Sequence, residues 1–314
     1  MLTVLACVCI SGSIVSAPLA EAIPTPAHLD DNYYVENITP SVGETLGCDQ
    51  GTIDSSLSKD SIVSLDFGAQ NTSNNGNYLP KVNTPVTYAQ VEAWAEQFAI
   101  GYYSCTGTDT SSTLYMGITT NNSGSYVNST SGQGWATVVG VVQTWINTYA
   151  GQVAARGGMD FEPWTGLPNQ SPTSARNWIT GWSNTTSAGY LNIGSADGCS
   201  QTGTGAGPTS DGLACNHSWY QGDEWWVSYG APPATVYPEI YTSAQALQWG
   251  WISDYGYVYK SDAVAFTGPL DEYDLNSGTN TPTVAWNDLY NAVNSHVGTS
   301  QSTFAHATEM HNAT

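Results

Sequence analysis

The sequence predicts an α/β fold, a (β/α)8 TIM-like barrel that is either regular or irregular with fewer than eight regular strand–helix units. Three observations favour this fold. From Ser61 onward, short strand-like runs alternate with helix-like runs over about 240 residues, which is typical of a parallel sheet. The strand-like runs number seven, which is close to the eight strands of such a barrel. The Gly-x-Gly-x-x-Gly fingerprint of a doubly wound sheet, the alternative fold, is absent.

The strand-like runs have the composition of buried strands. SIVSLDF (61–67) and TLYMGITT (113–120) are rich in apolar and β-branched residues. The sequence does not decide whether residues 272–275 form an eighth strand. The seven predicted strands cover residues 61–67, 113–120, 153–162, 189–195, 224–230, 235–242 and 262–268.

The helix-like runs lie between these strands. TYAQVEAWAEQFAIGYY (87–103) has apolar residues at helical spacing, and Thr87 is a suitable N-cap. GWATVVGVVQTWINTYAG (134–151) has the same spacing, and Gly151 can end it. Three further helices are predicted at residues 171–183, 243–256 and 283–296.

The chain is expected to contain one barrel domain of the catalytic type, at residues 59–297. Residues 1–22 have an apolar core that ends in Ala20-Glu21-Ala22, the A-x-A form read by signal peptidase. We therefore expect a signal peptide and a secreted, extracellular protein. Residues 23–58 are expected to form an N-terminal arm, and residues 298–314 a flexible tail.

Four cysteines remain after the expected signal peptide is removed. An even number of cysteines in an oxidising compartment favours two disulfide bonds. A Cys48–Cys105 bond would tie the N-terminal arm to the barrel, and a Cys199–Cys215 bond would close a loop rich in Gly, Ser and Thr. Four cysteines allow three pairings, and this one is chosen on loop closure alone.

The chain is strongly acidic, with 5 Lys plus Arg against 26 Asp plus Glu and a formal net charge of −21. Such a surface repels phosphate backbones and anionic lipids, so we expect neither nucleic acid nor a membrane as a partner. The cysteines have no Cys-x-x-Cys spacing, and the histidines are dispersed along the sequence. We therefore expect no metal and no cofactor, and we expect a monomer.

The segment GGMDFEPWTGL (157–167) has the most distinctive chemistry. Asp160 and Glu162 stand one residue apart, so on a strand they share one face at a separation of about 6–7 Å. Two carboxylates at this separation repel each other when both are ionised, which raises one pKa. Cleavage of a glycosidic bond needs such a protonated acid beside an ionised neighbour. We predict that Glu162 is the acid and Asp160 the supporting group.

Other residues complete the predicted site. Glu239, near the end of the sixth predicted strand, and Asp66, in the first, are the candidates for the second catalytic carboxylate. Aromatic side chains beside acids suit sugar rings, because their flat faces stack on C–H surfaces. The predicted substrate-binding residues are Trp164, Tyr241, Trp225 and Asp197.

Short segments of the chain resemble known glycoside hydrolases. GGMDFE (157–162) is similar to the strand motif of chitinase-like enzymes, in which an Asp-x-Glu carries the proton donor as its Glu and a substrate-orienting Asp. A second resemblance is to the barrel muramidases that cleave peptidoglycan. Its segments are SLDFG (64–68), MDFE (159–162), PEIYT (238–242) and DEYDLN (271–276).

Carried over residue by residue, the resemblance implies that Glu162 is the acid, Asp160 its partner and Asp66 a first-strand carboxylate. The sequence therefore predicts a secreted glycoside hydrolase that cleaves a polysaccharide or a cell-wall glycan by carboxylate acid–base chemistry. The alternative is a non-catalytic barrel that serves as an extracellular carbohydrate-binding protein. In both cases the expected partner is a carbohydrate.

Overall fold

The computed structural model of the chain describes most of the residues after the expected signal peptide. The expected signal peptide and Trp164 lie outside the described residues. The described ranges are 24–26, 28–73, 75–121, 126–163, 170–205, 211–275 and 277–314.

A curled sheet forms the centre of the molecule. Its eight parallel strands run in the order β8-β7-β6-β5-β2-β1-β10-β9, and the short strands β3 and β4 add an antiparallel hairpin to the edge of β2. The strands are β1 (His28–Val35), β2 (Ser61–Gln70), β3 (Gly76–Tyr78), β4 (Pro85–Thr87), β5 (Leu114–Asn121), β6 (Val153–Met159), β7 (Tyr190–Asn192), β8 (Ala234–Val236), β9 (Leu270–Asp271) and β10 (His306–Ala313).

Helices pack against the outer face of the sheet. The predicted N-cap Thr87 is confirmed, since its hydroxyl accepts the backbone N–H of Gln90 at 3.3 Å. Within the described residues the helices are α1 (Pro40–Leu57), α2 (Tyr88–Cys105), α3 (Ser129–Tyr149), α4 (Pro172–Thr185), α5 (Gln221–Trp225), α6 (Ser243–Tyr255) and α7 (Pro282–Asn294).

The two ends of the described chain differ from the expectation of an arm and a flexible tail. β1 and β10 pair in parallel over their full lengths, from His28 beside His306 to Val35 beside Ala313. The run HATEMHNA of β10 is too polar to be predicted as a strand from its sequence. It forms one because β1 and β9 satisfy its backbone on both sides.

The sheet is not a closed barrel. The described residues contain no continuous ladder between β8 and β9, and only two isolated parallel bridges, Val236 to Phe266 and Glu239 to Leu270, span this gap. Pro238 and Pro269 lie at the gap and have no N–H to donate to a ladder. The predicted α/β class and parallel sheet are thus confirmed, whereas complete closure is not found.

The strand predicted at residues 224–230 is wrong. This segment is helical, with α5 continuing into a π-helical turn at Trp226–Gly230. Trp225 is only 8% exposed, and its indole N–H donates to the carbonyl of Asp262 at 3.1 Å. The apolar run EWWV is compatible with either a buried strand or a short buried helix, and hydrophobicity alone does not separate them.

Small residues let the outer helices approach closely. A Cβ on Gly132 of α3 would lie 1.9 Å from the carbonyl oxygen of Trp178 in α4, and a Cβ on Gly47 of α1 would lie 2.0 Å from that of Phe98 in α2. On the inner face of the sheet, a smaller apolar cluster fills the space below the carboxyl ends of the strands. It contains Ile62, Leu191, Ile193, Tyr237, Leu270 and Met310.

Both predicted disulfide bonds are present, Cys48–Cys105 and Cys199–Cys215. The first joins α1 to the end of α2, and the second closes the loop that precedes α5. No helix in the described residues has both the length and the apolar composition needed to cross a membrane.

Candidate active site

A cavity of about 460 Å³ opens at the carboxyl ends of the strands, and we call it the acidic cavity. Five of the residues singled out in the sequence line it together: Asp160, Glu162, Asp197, Glu239 and Tyr241. The remaining described lining residues are Tyr34, Ser195, Gln245, Glu272 and Ser277.

The chain that leaves β6 holds the predicted carboxylate pair. Phe161, between the two acids, turns to the outer core and meets the ring of Trp178 edge-on at 5.5 Å. Gln170 fixes the backbone on either side, because its amide N–H donates to the carbonyl of Asp160 at 2.7 Å and its oxygen accepts the N–H of Glu162 at 2.9 Å. The alternation expected of a strand therefore brings both acids into the acidic cavity.

The end of β7 supports the same pair. The side-chain oxygen of Asn192 accepts the N–H groups of Phe161 and Gly194, each at 3.0 Å. A Cβ on Gly194 would lie 2.2 Å from the carbonyl oxygen of Phe161, so glycine permits this close approach. Ser195 then donates its hydroxyl to Glu162 Oε2 at 3.3 Å.

Glu239 is the most deeply buried acid of the predicted set that lines the cavity, with 9% exposure. Burial raises its pKa well above the usual range, and the negative charges of Asp160, Glu162 and Glu272 raise it further. A hydrogen bond with Tyr241 favours the ionised form but does not outweigh these effects. Glu239 therefore holds a proton at a pH where an exposed glutamate is ionised.

Glu272 and Tyr34 are site residues that the sequence reasoning did not select. Glu272 is 5% exposed and accepts a hydrogen bond from the hydroxyl of Tyr34. Glu272 directly follows β9, just as the predicted acids lie at or near the ends of their strands. It was not selected because the sequence did not show whether a strand existed at this point. Tyr34 was missed because β1 was assigned to the N-terminal arm.

Asp66 does not line the acidic cavity. It is 1% exposed, and its carboxylate accepts the N–H of Gly68 at 2.6 Å and the side-chain amide of Asn121 at 3.1 Å. Burial raises its pKa to about 7, although these two hydrogen bonds favour the charged form. Asp66 thus acts on the cavity at most through its charge, which also raises the pKa of Tyr34.

Substitution of Asp66 by Asn is expected to flatten the pH dependence of stability. The unfolded chain releases the Asp66 proton near pH 4, about the usual value, whereas the folded protein holds it until about pH 7. Wild-type stability therefore falls across this window because of Asp66, and the variant lacks that fall. Urea unfolding at about pH 4 and about pH 7 measures this fall in stability, with Asp49→Asn on the exposed side of α1 as control. An equal fall in Asp66→Asn and wild type would contradict this role.

The predicted aromatic sugar-binding residues have different outcomes. Tyr241 lines the acidic cavity, and burial together with the charge of Glu239 raises its pKa well above the usual range. Trp225 is not among the described lining residues, because it belongs to α5 and packs within the outer core. The position of Trp164 lies outside the described residues.

The arrangement is suited to proton transfer between carboxyl groups and a bound substrate. Among the described residues, no group of three His, Cys, Asp or Glu side chains converges closely enough to hold a metal ion. The cavity instead offers one buried acid of raised pKa, Glu239, beside the half-buried Asp160, Glu162 and Asp197.

No known protein-family model matches the chain, and no curated protein matches it with significant similarity.

Proposed function

We propose that this protein is a glycoside hydrolase that cleaves a polysaccharide or cell-wall glycan by carboxylate acid–base chemistry. The observation that carries the proposal is the meeting of Asp160, Glu162 and Glu239 in one cavity at the carboxyl ends of parallel strands. This edge is where α/β barrels place catalytic groups. Glycosidic cleavage requires a pair of carboxyl groups in different protonation states.

The electrostatics favour a division of roles that differs from the motif resemblance. Glu239 is buried among like charges and keeps its proton, so we assign it as the proton donor to the leaving oxygen. Glu162 lies at a less buried position and accepts a hydrogen bond from Ser195. We assign it as the ionised partner that stabilises or attacks the oxocarbenium-like centre, with Asp160 as its support.

The cavity also has the chemistry of a sugar site. Its volume of about 460 Å³ lies within the range of roughly 300–1,000 Å³ that is usual for small-molecule sites. Tyr34 and Tyr241 supply aromatic surface, and Ser195, Gln245 and Ser277 supply neutral hydrogen-bonding groups. This mixture suits a ligand that presents both C–H faces and hydroxyl groups.

The two disulfide bonds support the further proposal that the protein is secreted. Such bonds persist in oxidising compartments and are rare in reducing ones. A carbohydrate polymer outside the cell is the substrate that an exported glycosidase would meet.

Release of reducing ends tests the proposed function. The purified protein is incubated with chitin, its de-N-acetylated form, peptidoglycan, α- and β-glucans and arabinans at about pH 4–6, where a carboxyl group of raised pKa remains partly protonated. We expect turnover of at least one glycan and a loss of about 10²–10⁴-fold in Glu162→Gln.

The control for this test is Glu96→Gln, on α2 away from the acidic cavity, which should retain wild-type rates. Glycan binding without release of reducing ends, equal in wild type and Glu162→Gln, would contradict the hydrolase proposal. It would favour the alternative of a non-catalytic carbohydrate-binding protein.

A further inference from the structure

The acidic cavity holds more negative groups than glycosidic cleavage uses. Five carboxylic acids line it, while the reaction needs two and one support for them. Asp197 and Glu272 have no role in that chemistry. No Lys, Arg or His is among the described lining residues.

The additional carboxylates repel the other acids in the cavity, and the hydrogen bond to Glu272 does not neutralise its charge. Glu272 is 5% exposed, and Tyr34 donates a hydrogen bond to it. A phenol satisfies the hydrogen bond but supplies no positive charge. The negative charges of Glu272, Asp160 and Glu162, which line the same cavity, also raise the pKa of Glu239. A cation from outside would relieve this repulsion.

The five Lys and Arg side chains of the protein contact groups other than the carboxylates of the cavity. Lys59 pairs with Asp30 at 2.9 Å and Arg176 with Asp223 at 3.0 Å. Lys81 lies over the ring of Tyr34, a lining residue of the cavity, at 4.8 Å from the ring centre, and it donates a hydrogen bond to Asn312. The other two lie over aromatic rings, Arg156 over Tyr115 and Lys260 over Trp225 and Tyr255.

We infer that the substrate is a glycan of amino sugars with free, protonated amino groups, and that Asp197 and Glu272 bind these ammonium groups in the acidic cavity. The inference rests on the proposed hydrolase function and narrows its substrate class. It excludes N-acetylated and neutral glycans as the preferred ligands, because neither carries the positive charge that the surplus carboxylates match.

Two further observations favour an ammonium-bearing sugar over a metal ion. The carboxylates are distributed around the cavity, and no three of the described ligand-type side chains converge on one metal position. Successive amino sugars present separated charges of this kind. Tyr34 and Tyr241 also line the cavity, and an aromatic face attracts an ammonium group while stacking on the sugar ring.

Binding of matched oligomers tests the inference. Glucosamine and galactosamine oligomers of four to six units, their N-acetylated counterparts and spermine are titrated calorimetrically into the Glu239→Gln variant, in which turnover is expected to be slow. The titrations are done at about pH 5.5, where amino groups are protonated. We expect at least one amine oligomer to bind about tenfold or more tightly than its N-acetylated counterpart, and its affinity to fall with added salt. Adding Glu272→Gln or Asp197→Asn should weaken that binding about tenfold, whereas adding Asp49→Asn, which removes one distant charge, should not.

Three results would overturn the inference: equal or tighter binding of the N-acetylated oligomers, no binding of any amine oligomer, or spermine binding as tightly as the sugars. The hydrolase proposal is tested separately by wild-type turnover. If amine oligomers bind but release no reducing ends, the hydrolase proposal is wrong and the inferred ligand class is retained. If only acetylated or neutral glycans are turned over, the inferred ligand class is wrong and the hydrolase proposal is retained.

Discussion

Replacing Glu239 with Gln is expected to lower kcat on a polysaccharide by about 10²–10⁴-fold, because the protonated carboxyl that we assign to the leaving oxygen is lost. The loss should shrink on aryl glycosides whose leaving groups depart without protonation. Glu162→Gln should instead impair cleavage of both kinds of substrate. Initial rates of both variants on both substrates measure the difference, with Glu96→Gln as control. The opposite pattern would return the donor role to Glu162, as the motif resemblance implies.

The pH profile gives an independent measure of the same assignment. Burial and the charges of Asp160, Glu162 and Glu272 raise the pKa of Glu239, so the wild type remains active until the pH rises through that pKa. On an activated aryl glycoside, Glu239→Gln should lack this decline at high pH, because it has no proton there to lose. A decline at the same pH in wild type and variant would assign the titration to another group.

Replacing Lys59 with Met is expected to lower the free energy of unfolding by about 3–5 kcal/mol, because the buried carboxylates of Asp30 and Asp54 lose the Lys59 ammonium group. Lys59 is 4% exposed, and its Nζ lies 2.9 Å from Asp30 and 3.7 Å from Asp54. It thereby joins β1 to α1. Urea unfolding at pH 7 measures the loss. The exposed Lys81→Met is the control, expected within about 0.5 kcal/mol of wild type. A loss no larger than that of the control would show that Lys59 does not stabilise the fold through its charge.

The ion pair also predicts a response to acid. Burial alone would raise the pKa of Asp30, but hydrogen bonds and charges from His306 and Lys59 outweigh burial and hold the pKa below its usual value. A lowered pKa means that this stability is present above about pH 4 and is lost as the pH falls through the folded-state pKa. Lys59→Met should lose less stability than wild type between pH 5 and pH 2. Parallel curves for the two proteins would contradict the coupling.

The elements that could be predicted are those whose local sequence agrees with their environment. The helix from Thr87 has a capping residue and regular apolar spacing, and the strand from Ser61 has Val63, Leu65 and Phe67 on one face and is buried along its whole length. The strand predicted at residues 224–230 is wrong because an apolar run suits either a buried strand or a buried helix. The strand β10 was not predicted because its polar sequence forms a strand only between two neighbouring strands that satisfy its backbone hydrogen bonds.

The candidate site divides in the same way. Asp160 and Glu162 could be found because both belong to one short segment whose period places them on one face. Glu272 and Tyr34 could not be joined to them, since the contact between Tyr34 and Glu272 spans 238 positions of the chain. The burial that excludes Asp66 from the cavity wall and moves Trp225 into the core is likewise a property of packing.

The sequence alone determined the α/β class and the pairing of Asp160 with Glu162, because each depends on residues close together in the chain. Loop closure favoured one of three cysteine pairings, and the structure contains that pairing. The tertiary structure decided that the sheet stays open at Pro238 and Pro269, and that five acids share one cavity. It also decided that the pKa of Glu239 is raised well above its usual range. The physical reason is that protonation follows from desolvation and from charges on distant segments, and only the folded chain brings these together.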